Sequence, residues 1–237
     1  MKIEIWSDIM CPFCYIGKRN FETALSRFPH KEEIEVEWKS FQLDPSIPEV
    51  PKYQHDMYQF VADRKGLSYE QSKRMHQDVI RMAKNVGLEY NFDTALVTNS
   101  LKGHRLIQYA KAKGLAGLAE ERLFLAYFTR GKNLNDLSTL IELGQDIGLS
   151  EQEVTEALTN PIYQDRVIQE AAEAQQLGAR GVPFFVVDRK SAIAGAQQPD
   201  VILKVIENSY SAWKQTENHQ LSIQEGASCS PSGNSNC

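Results

Sequence analysis

Cys11-Pro12-Phe13-Cys14 stands between two stretches of different periodicity, and that position decides how the pair is read. Before it, Lys2-Ile3-Glu4-Ile5-Trp6 alternates polar and apolar residues as a half-buried strand does. After it, Ile16, Phe21, Ala24, Leu25 and Phe28 fall on one face of a helix running from Tyr15 to Phe28. A cysteine pair at a strand-to-helix junction puts its first sulfur at a helix N-terminus. There the unpaired backbone amides and the helix dipole favour the thiolate, the form that attacks a disulfide. Pro12 suits the first helical turn, where its missing N–H removes no hydrogen bond. Cys14, one turn in, is placed to resolve a mixed disulfide. The local chemistry is thiol–disulfide exchange, with Cys11 as nucleophile.

The competing reading is a zinc site, because Cys-Pro-x-Cys also occurs in zinc knuckles. A structural zinc needs four ligands, usually from a second close pair. This chain offers Cys229 and Cys237 in a polar tail and five scattered histidines. The sequence therefore predicts no metal at the motif.

The chain has 237 residues, 42% of them hydrophobic and 24% charged, enough to bury a real core around one large domain or one domain with an insertion. A net charge of −5 with no Lys/Arg block argues against a nucleic-acid partner. No run of about 18 apolar residues predicts a membrane span. Met1 leads straight into a strand without a charged or apolar leader segment, so the expected location is cytoplasmic. In a reducing compartment a C-x-x-C is catalytic, redox-sensing or metal-binding more often than structural.

Ile34 to Phe41 alternates as a second strand, which makes the opening a parallel βαβ unit. Pro45, Pro48 and Pro51 then carry the chain out of the sheet. Residues 54–178 read as helices: Ser68 to Val86 with a capping box, Thr94 to Lys113, Leu115 to Thr129, Leu137 to Ile147, a segment opened by Ser150 and Glu153, and Pro161 to Leu177. Phe184 to Val187 and Ser191 to Ala194 form a hairpin, and Gln198 to Trp213 a last helix. This divides the chain into an α/β unit of residues 1–45 plus 179–215, an all-helical insertion of 46–178, and a flexible tail of 216–237.

The order β-α-β, helical block, β-β-α with a C-x-x-C after the first strand resembles the thioredoxin-like fold with the large helical insertion of the DsbA group. Ser7-Asp8-Ile9-Met10-Cys11-Pro12-Phe13-Cys14-Tyr15-Ile16-Gly17, Phe41-Gln42-Leu43-Asp44-Pro45 and Gly181-Val182-Pro183-Phe184-Phe185 resemble its FrnE-like branch. The resemblance implies that the strand from Phe184 lies antiparallel to the first and brings Pro183 to Cys11. It also implies a cis Val182–Pro183 bond that leaves Val182 free to pair with a substrate strand. Relatives of the DsbA type usually have a histidine before the second cysteine. Phe13 stands there instead, so a milder oxidant than DsbA is expected, acidified mainly by the helix N-terminus.

Cys229 and Cys237 are either incidental tail thiols or, as the resemblance suggests, a second redox pair that exchanges with Cys11 and Cys14. A bond between them would close only a short loop, worth roughly 2–3 kcal/mol of local chain entropy. His104 could face the active-site groove, although a solvent-facing or capping role is simpler. Asp8 reads as a turn residue or an active-site polar group, the turn being simpler, Phe41 and Leu43 as groove wall or core, and Glu32-Glu33-Ile34-Glu35 as a solvated corner.

These readings converge on a cytoplasmic disulfide oxidoreductase that needs no cofactor beyond its own cysteines. Its expected partners are protein or peptide thiols and disulfides, with glutathione or thioredoxin as a possible reductant and glutathione as a possible co-substrate. A glutathione-dependent isomerase or transferase of the same fold is the enzymatic alternative; those enzymes carry serine where Cys11 stands. A zinc-binding or chaperone-like module is the other.

Overall fold

Residues 1–49 and 56–217 are described by the computed structural model, in which the chain opens with β1 (Lys2–Ser7), α1 (Pro12–Arg27) and β2 (Glu35–Ser40). β1 and β2 are parallel, Ile5 lying beside Trp38, and α1 is the crossover between them. After the helical segment, β3 (Phe184–Val187) runs antiparallel to β1 and forms a hairpin with β4 (Ser191–Ala194). The sheet order is β2-β1-β3-β4. Asp188 and Arg189 both take left-handed backbone angles in the hairpin turn, with φ of 50° and 54°, as a tight turn matched to strand twist requires.

The alternation in Lys2–Ser7 predicts one dry and one wet face, yet five of its six residues are buried. Helices cover both faces. Ile3, Ile5, Phe185, Val187 and Ile193 pack beneath α1 and α9 (Pro199–Glu217), in one core with Phe21, Ala24, Ile202 and Ile206. Trp6, Phe184, Val186 and Phe41 form a second cluster that Ala174 closes. Ala174 belongs to α8 (Pro161–Gln176), and Trp6 Nε1 donates to the Glu170 carbonyl of that helix at 2.7 Å. The polar position in β1 survives burial through pairing: Glu4, 2% exposed, lies 3.0 Å from Lys39 Nζ and also meets Arg189. α8 falls in the expected helical insertion, but it supplies the second layer of the sheet.

Between β2 and β3 the chain forms α2 (Met57–Lys65), α3 (Tyr69–Asn85), α4 (Leu101–Lys111), α5 (Ala116–Phe124), α6 (Leu137–Gln145), α7 (Glu151–Thr159) and then α8. The capping boxes read from the sequence form at Ser68–Gln71 and Ser150–Glu153. One expected helix is shorter. Residues 94–100 are irregular, and α4 starts only at Leu101. Asn99 accounts for this, because its side chain satisfies backbone groups that a helix would otherwise pair. Its Oδ1 accepts from the Leu101 amide at 2.8 Å and from Gln42 Nε2 at 2.7 Å, while Nδ2 donates to the Ile47 carbonyl. After α5 the helix widens into a π-turn, Leu125–Thr129, which turns Tyr127 and Phe128 into the core.

Candidate active site

The end of β1 passes into a turn built around Asp8. Its carbonyl accepts from the Cys11 amide at 2.9 Å, Oδ1 from the Met10 amide at 3.1 Å, and Oδ2 from the Leu43 amide at 2.7 Å. This ties the catalytic turn to the segment leaving β2 and delivers Cys11 as the N-cap of α1, in extended backbone, with Pro12 in the first helical turn. The Cys14 amide closes the turn onto the Cys11 carbonyl at 3.0 Å. Asp8, 1% exposed, is therefore an organiser of this turn, the active-site alternative to the plain turn residue that the sequence favoured.

Both sulfurs are thiols. Cys11 is 5% exposed and Cys14 1%, while Phe13 between them is 41% exposed and marks the open side. Burial pushes the Cys14 thiol well up. Its contact with Cys11 and the Asp8 carboxylate add to that effect, and the Asp8 backbone partly opposes it. Cys14 thus rests as a thiol beneath its partner.

Pro183 sits at this turn as expected. The Val182–Pro183 bond is cis, and Cys11 Sγ lies 3.5 Å from the Val182 carbonyl, across 171 positions of sequence. Gly17, one turn below Cys14, makes the approach possible: a Cβ there would come within 2.9 Å of the Pro183 ring. From the insertion, Tyr90 donates its hydroxyl to the Pro12 carbonyl at 2.7 Å, and its ring stacks with that of Tyr15. No local pattern marked Tyr90, because its role depends on a contact 78 residues away.

A cleft of about 330 Å³ opens beside Cys11 and Phe13. Its walls are apolar, including Met10, Met57, Phe60 and Met75, and Asp44 pairs with Arg64 at its edge. The sequence left Phe41 and Leu43 open, and the structure separates them. Leu43 is exposed and lines the cleft, whereas Phe41 is core.

His104 departs from the solvent-facing or capping role, the simpler of the two that the sequence left open. Fully buried on α4, it places Nε2 3.3 Å from Asp8 Oδ1. Neighbouring Gly103 allows this, since a Cβ at that position would collide with the Ile9 side chain at 2.2 Å. Glu32 and Glu33 are exposed as the solvated-corner reading expects, though Glu33 also accepts from Tyr210 at 2.7 Å. Among the described residues no group of three or more His, Cys, Asp or Glu side chains is arranged to hold a metal. Cys229 and Cys237 lie outside the described residues.

One sulfur at a helix tip and a second sunk beneath it are the working parts of thioredoxin-fold disulfide oxidoreductases. The chain belongs to the DSBA-like thioredoxin domain family, whose model matches residues 2–207. It is similar to a probable DsbA oxidoreductase of Streptomyces coelicolor, with 34% identity, 98% of this chain and 97% of that one covered, and a TM-score of 0.85. It is 30% identical over 212 residues to the uncharacterized protein YwbO of Bacillus subtilis, covering 86% of this chain and 94% of the relative. The fold is shared at 16% identity with the cytosolic disulfide reductase DsbM of Pseudomonas aeruginosa, solved with glutathione, at a TM-score of 0.61 and with 92% and 100% of the two chains covered.

Proposed function

We propose that this DsbA-like oxidoreductase exchanges disulfides with protein or peptide thiols in the cytosol, Cys11 attacking and Cys14 resolving. The observation that carries the reading is the position of Cys11 Sγ, 3.5 Å from the Val182 carbonyl and next to the exposed Phe13 and Leu43. A substrate strand pairing with Val182 would run its own sulfur past Cys11, and the apolar cleft would take the side chains beside it. The reaction needs no group beyond the two cysteines. Cys11 thiolate attacks the substrate disulfide, and Cys14 then displaces the substrate thiol. The cytosolic setting draws support from the shared fold of DsbM, and so does glutathione as the reductant that returns the pair to the dithiol.

Insulin reduction and dithiol oxidation, run with the parent chain and Cys11→Ser, test this reading. Activity in both should vanish in the variant, and a redox titration of the parent should follow a two-electron curve. Retained activity in Cys11→Ser would sink the proposal.

A second reading keeps one observation in its favour. An apolar cleft beside a nucleophilic sulfur also suits a glutathione-dependent isomerase, and 2-hydroxychromene-2-carboxylate isomerase shares the fold at a TM-score of 0.62. Turnover of an electrophilic or isomerisable substrate with glutathione, persisting in Cys14→Ser while disulfide reduction is lost, would favour it.

A further inference from the structure

One polar atom on the wall of the cleft beside Cys11 has no part in the exchange reaction. The catalytic turn makes one wall of this cleft, and α2 and α3 make another. His76 stands on the α3 wall, 5% exposed. Its Nδ1 lies 2.8 Å from the Ser72 carbonyl, one turn back on the same helix. A carbonyl only accepts, so the hydrogen is on Nδ1 and Nε2 carries a lone pair. Nε2 has no hydrogen-bond partner among the described residues, and it is not one of the polar atoms sealed from solvent. Tyr58 and Phe92 pack on the imidazole with their rings nearly perpendicular to it, at 5.0 and 4.6 Å, and fix its orientation. Burial lowers the basicity of His76 below the ordinary 6.5, the Ser72 carbonyl partly opposing, so the ring is neutral at pH 7.

The other polar side chains around the cleft are engaged, sealed or at its rim. Asp8 accepts from the Met10 and Leu43 amides, and Asp44 pairs with Arg64. The Tyr127 hydroxyl is unpaired but buried, and Lys65 is exposed. What remains is apolar and soft. Three of the chain's five methionines, Met10, Met57 and Met75, line the cleft together with Phe13, Phe60 and Phe92. Thioethers make favourable contacts with ring edges, and aromatic rings pack edge to face, so these walls suit an aromatic occupant. A charged side chain would lose its water against them without gaining a partner.

We propose that this cleft is a side-chain pocket selective for tyrosine, in which His76 Nε2 accepts from the hydroxyl of a tyrosine near the reacting cysteine of a peptide substrate. The proposal deepens the oxidoreductase reading and rests on it: Cys11 attacks and Cys14 resolves, while His76 selects which disulfides are presented. A volume of about 330 Å³ holds one ring with room to spare. Tyrosine carries its donor at the far end of the ring, as needed to reach the α3 wall from a chain passing Cys11. Phenylalanine or leucine in the same place would strip Nε2 of water and leave it unpaired. A site built to bond a substrate hydroxyl discriminates strongly against an analogue that lacks one. His76 makes this contact away from the reacting sulfurs, so it acts on specificity and leaves the reactivity of Cys11 alone.

The test measures second-order rates for reduction of symmetric peptide disulfides by the reduced full-length chain, with quenched samples separated by chromatography. Cys229→Ser and Cys237→Ser are present throughout, so that only Cys11 and Cys14 report. Each peptide has five residues with a central cysteine in an alanine and glycine background. Tyrosine, phenylalanine, 4-fluorophenylalanine or leucine is placed in turn at each of the other four positions. At one position or more, tyrosine should react at least about 10-fold faster than phenylalanine. 4-Fluorophenylalanine, similar in shape to tyrosine but without a donor, should follow phenylalanine. In His76→Leu the tyrosine advantage should shrink to within about 2-fold, while alkylation of Cys11 by iodoacetamide stays within about 2-fold of the parent. Equal rates for tyrosine and phenylalanine at every position overturn the proposal. So does a fluorinated peptide that matches tyrosine, or a tyrosine advantage that survives in His76→Leu. If His76→Leu does not fold, the peptide series on the parent decides alone. A variant that slows alkylation and every peptide alike also refutes the proposal, since His76 would then act on the cysteine pair. The underlying reading fails separately: a parent that reduces none of the peptides sinks both, whereas one that reduces all of them alike sinks only the pocket.

Discussion

Phe13 is the residue placed to tune the pair. It lies between the two sulfurs in sequence, is 41% exposed, and offers neither a charge nor a hydrogen bond to a thiolate. A histidine there, when protonated, would stabilise the Cys11 thiolate and with it the reduced form, making the disulfide a stronger oxidant. The chain should therefore show a potential below DsbA's roughly −120 mV, nearer the roughly −180 mV of protein disulfide isomerase. Phe13→His should raise it by about 30 mV, which for two electrons is about 1.4 kcal/mol. Equilibration against glutathione buffers measures both, and an unchanged midpoint would show that this position does not set the poise. Cys11, Pro12, Phe13 and Cys14 were legible in the sequence because their chemistry is stated in their type and spacing, whereas Pro183 was legible only through the resemblance to the DsbA group. Asp8 and His104 were legible only as alternatives to a turn and a helix-surface residue, since nothing in their type or spacing says that the chain folds them 3.3 Å apart.

Among the elements, the segment before α4 departs most from what periodicity suggests. Thr94 to Lys113 carries apolar residues at helical spacing, but its first part is held irregular by side chains that bond backbone. Asn99 does most of this, joining Gln42, the Ile47 carbonyl and the Leu101 amide. Asn99→Ala would leave the buried Ile47 carbonyl without this donor, a loss of about 1–3 kcal/mol. It should also loosen the wall of the cleft, so the urea midpoint should fall while the far-ultraviolet spectrum stays close to the parent's. Substrate affinity should fall more than the rate of Cys11 alkylation. The strands, the capping boxes at Ser68 and Ser150, and the Phe184 hairpin were legible because each depends on neighbours close in sequence. The 94–100 segment was not, because its bonds reach residues about 50 positions away.

For the whole molecule, stability should change with pH in two opposite ways. Burial raises the Glu37 and Glu121 carboxyls, but hydrogen bonds outweigh it and hold both at about 2. Lys111 and Lys2 supply these bonds at Glu37; Arg19, Lys18 and Tyr15 supply them at Glu121. Their folded values are depressed, so their stabilisation is present above the ordinary 4.5 and lost as pH falls toward 2. Glu120 behaves oppositely. Its folded value is raised to about 8, so its contribution is full below 4.5 and is lost as pH rises to about 8. Urea midpoints across pH 2–9 should fall on the acid side, and Glu121→Gln should flatten that limb. Glu120→Gln should flatten the decline between 4.5 and 8, and a decline left intact would mean Glu120 ionises normally in the folded chain. None of this was visible in composition, which gives a net charge of −5 without saying which carboxylates are buried.

The helical segment touches the catalytic turn at several points: Tyr90 on the Pro12 carbonyl, Gly103 against Ile9, and His104 on Asp8. In evolutionary terms, these contacts should make residues 8–14 and 90–104 change together. A cysteine motif transplanted from a relative without its matching helical partner would fold on a borrowed foundation and lose chemistry before it lost stability. Lineages that changed the motif should therefore carry compensating changes at 90, 103 and 104, inherited together.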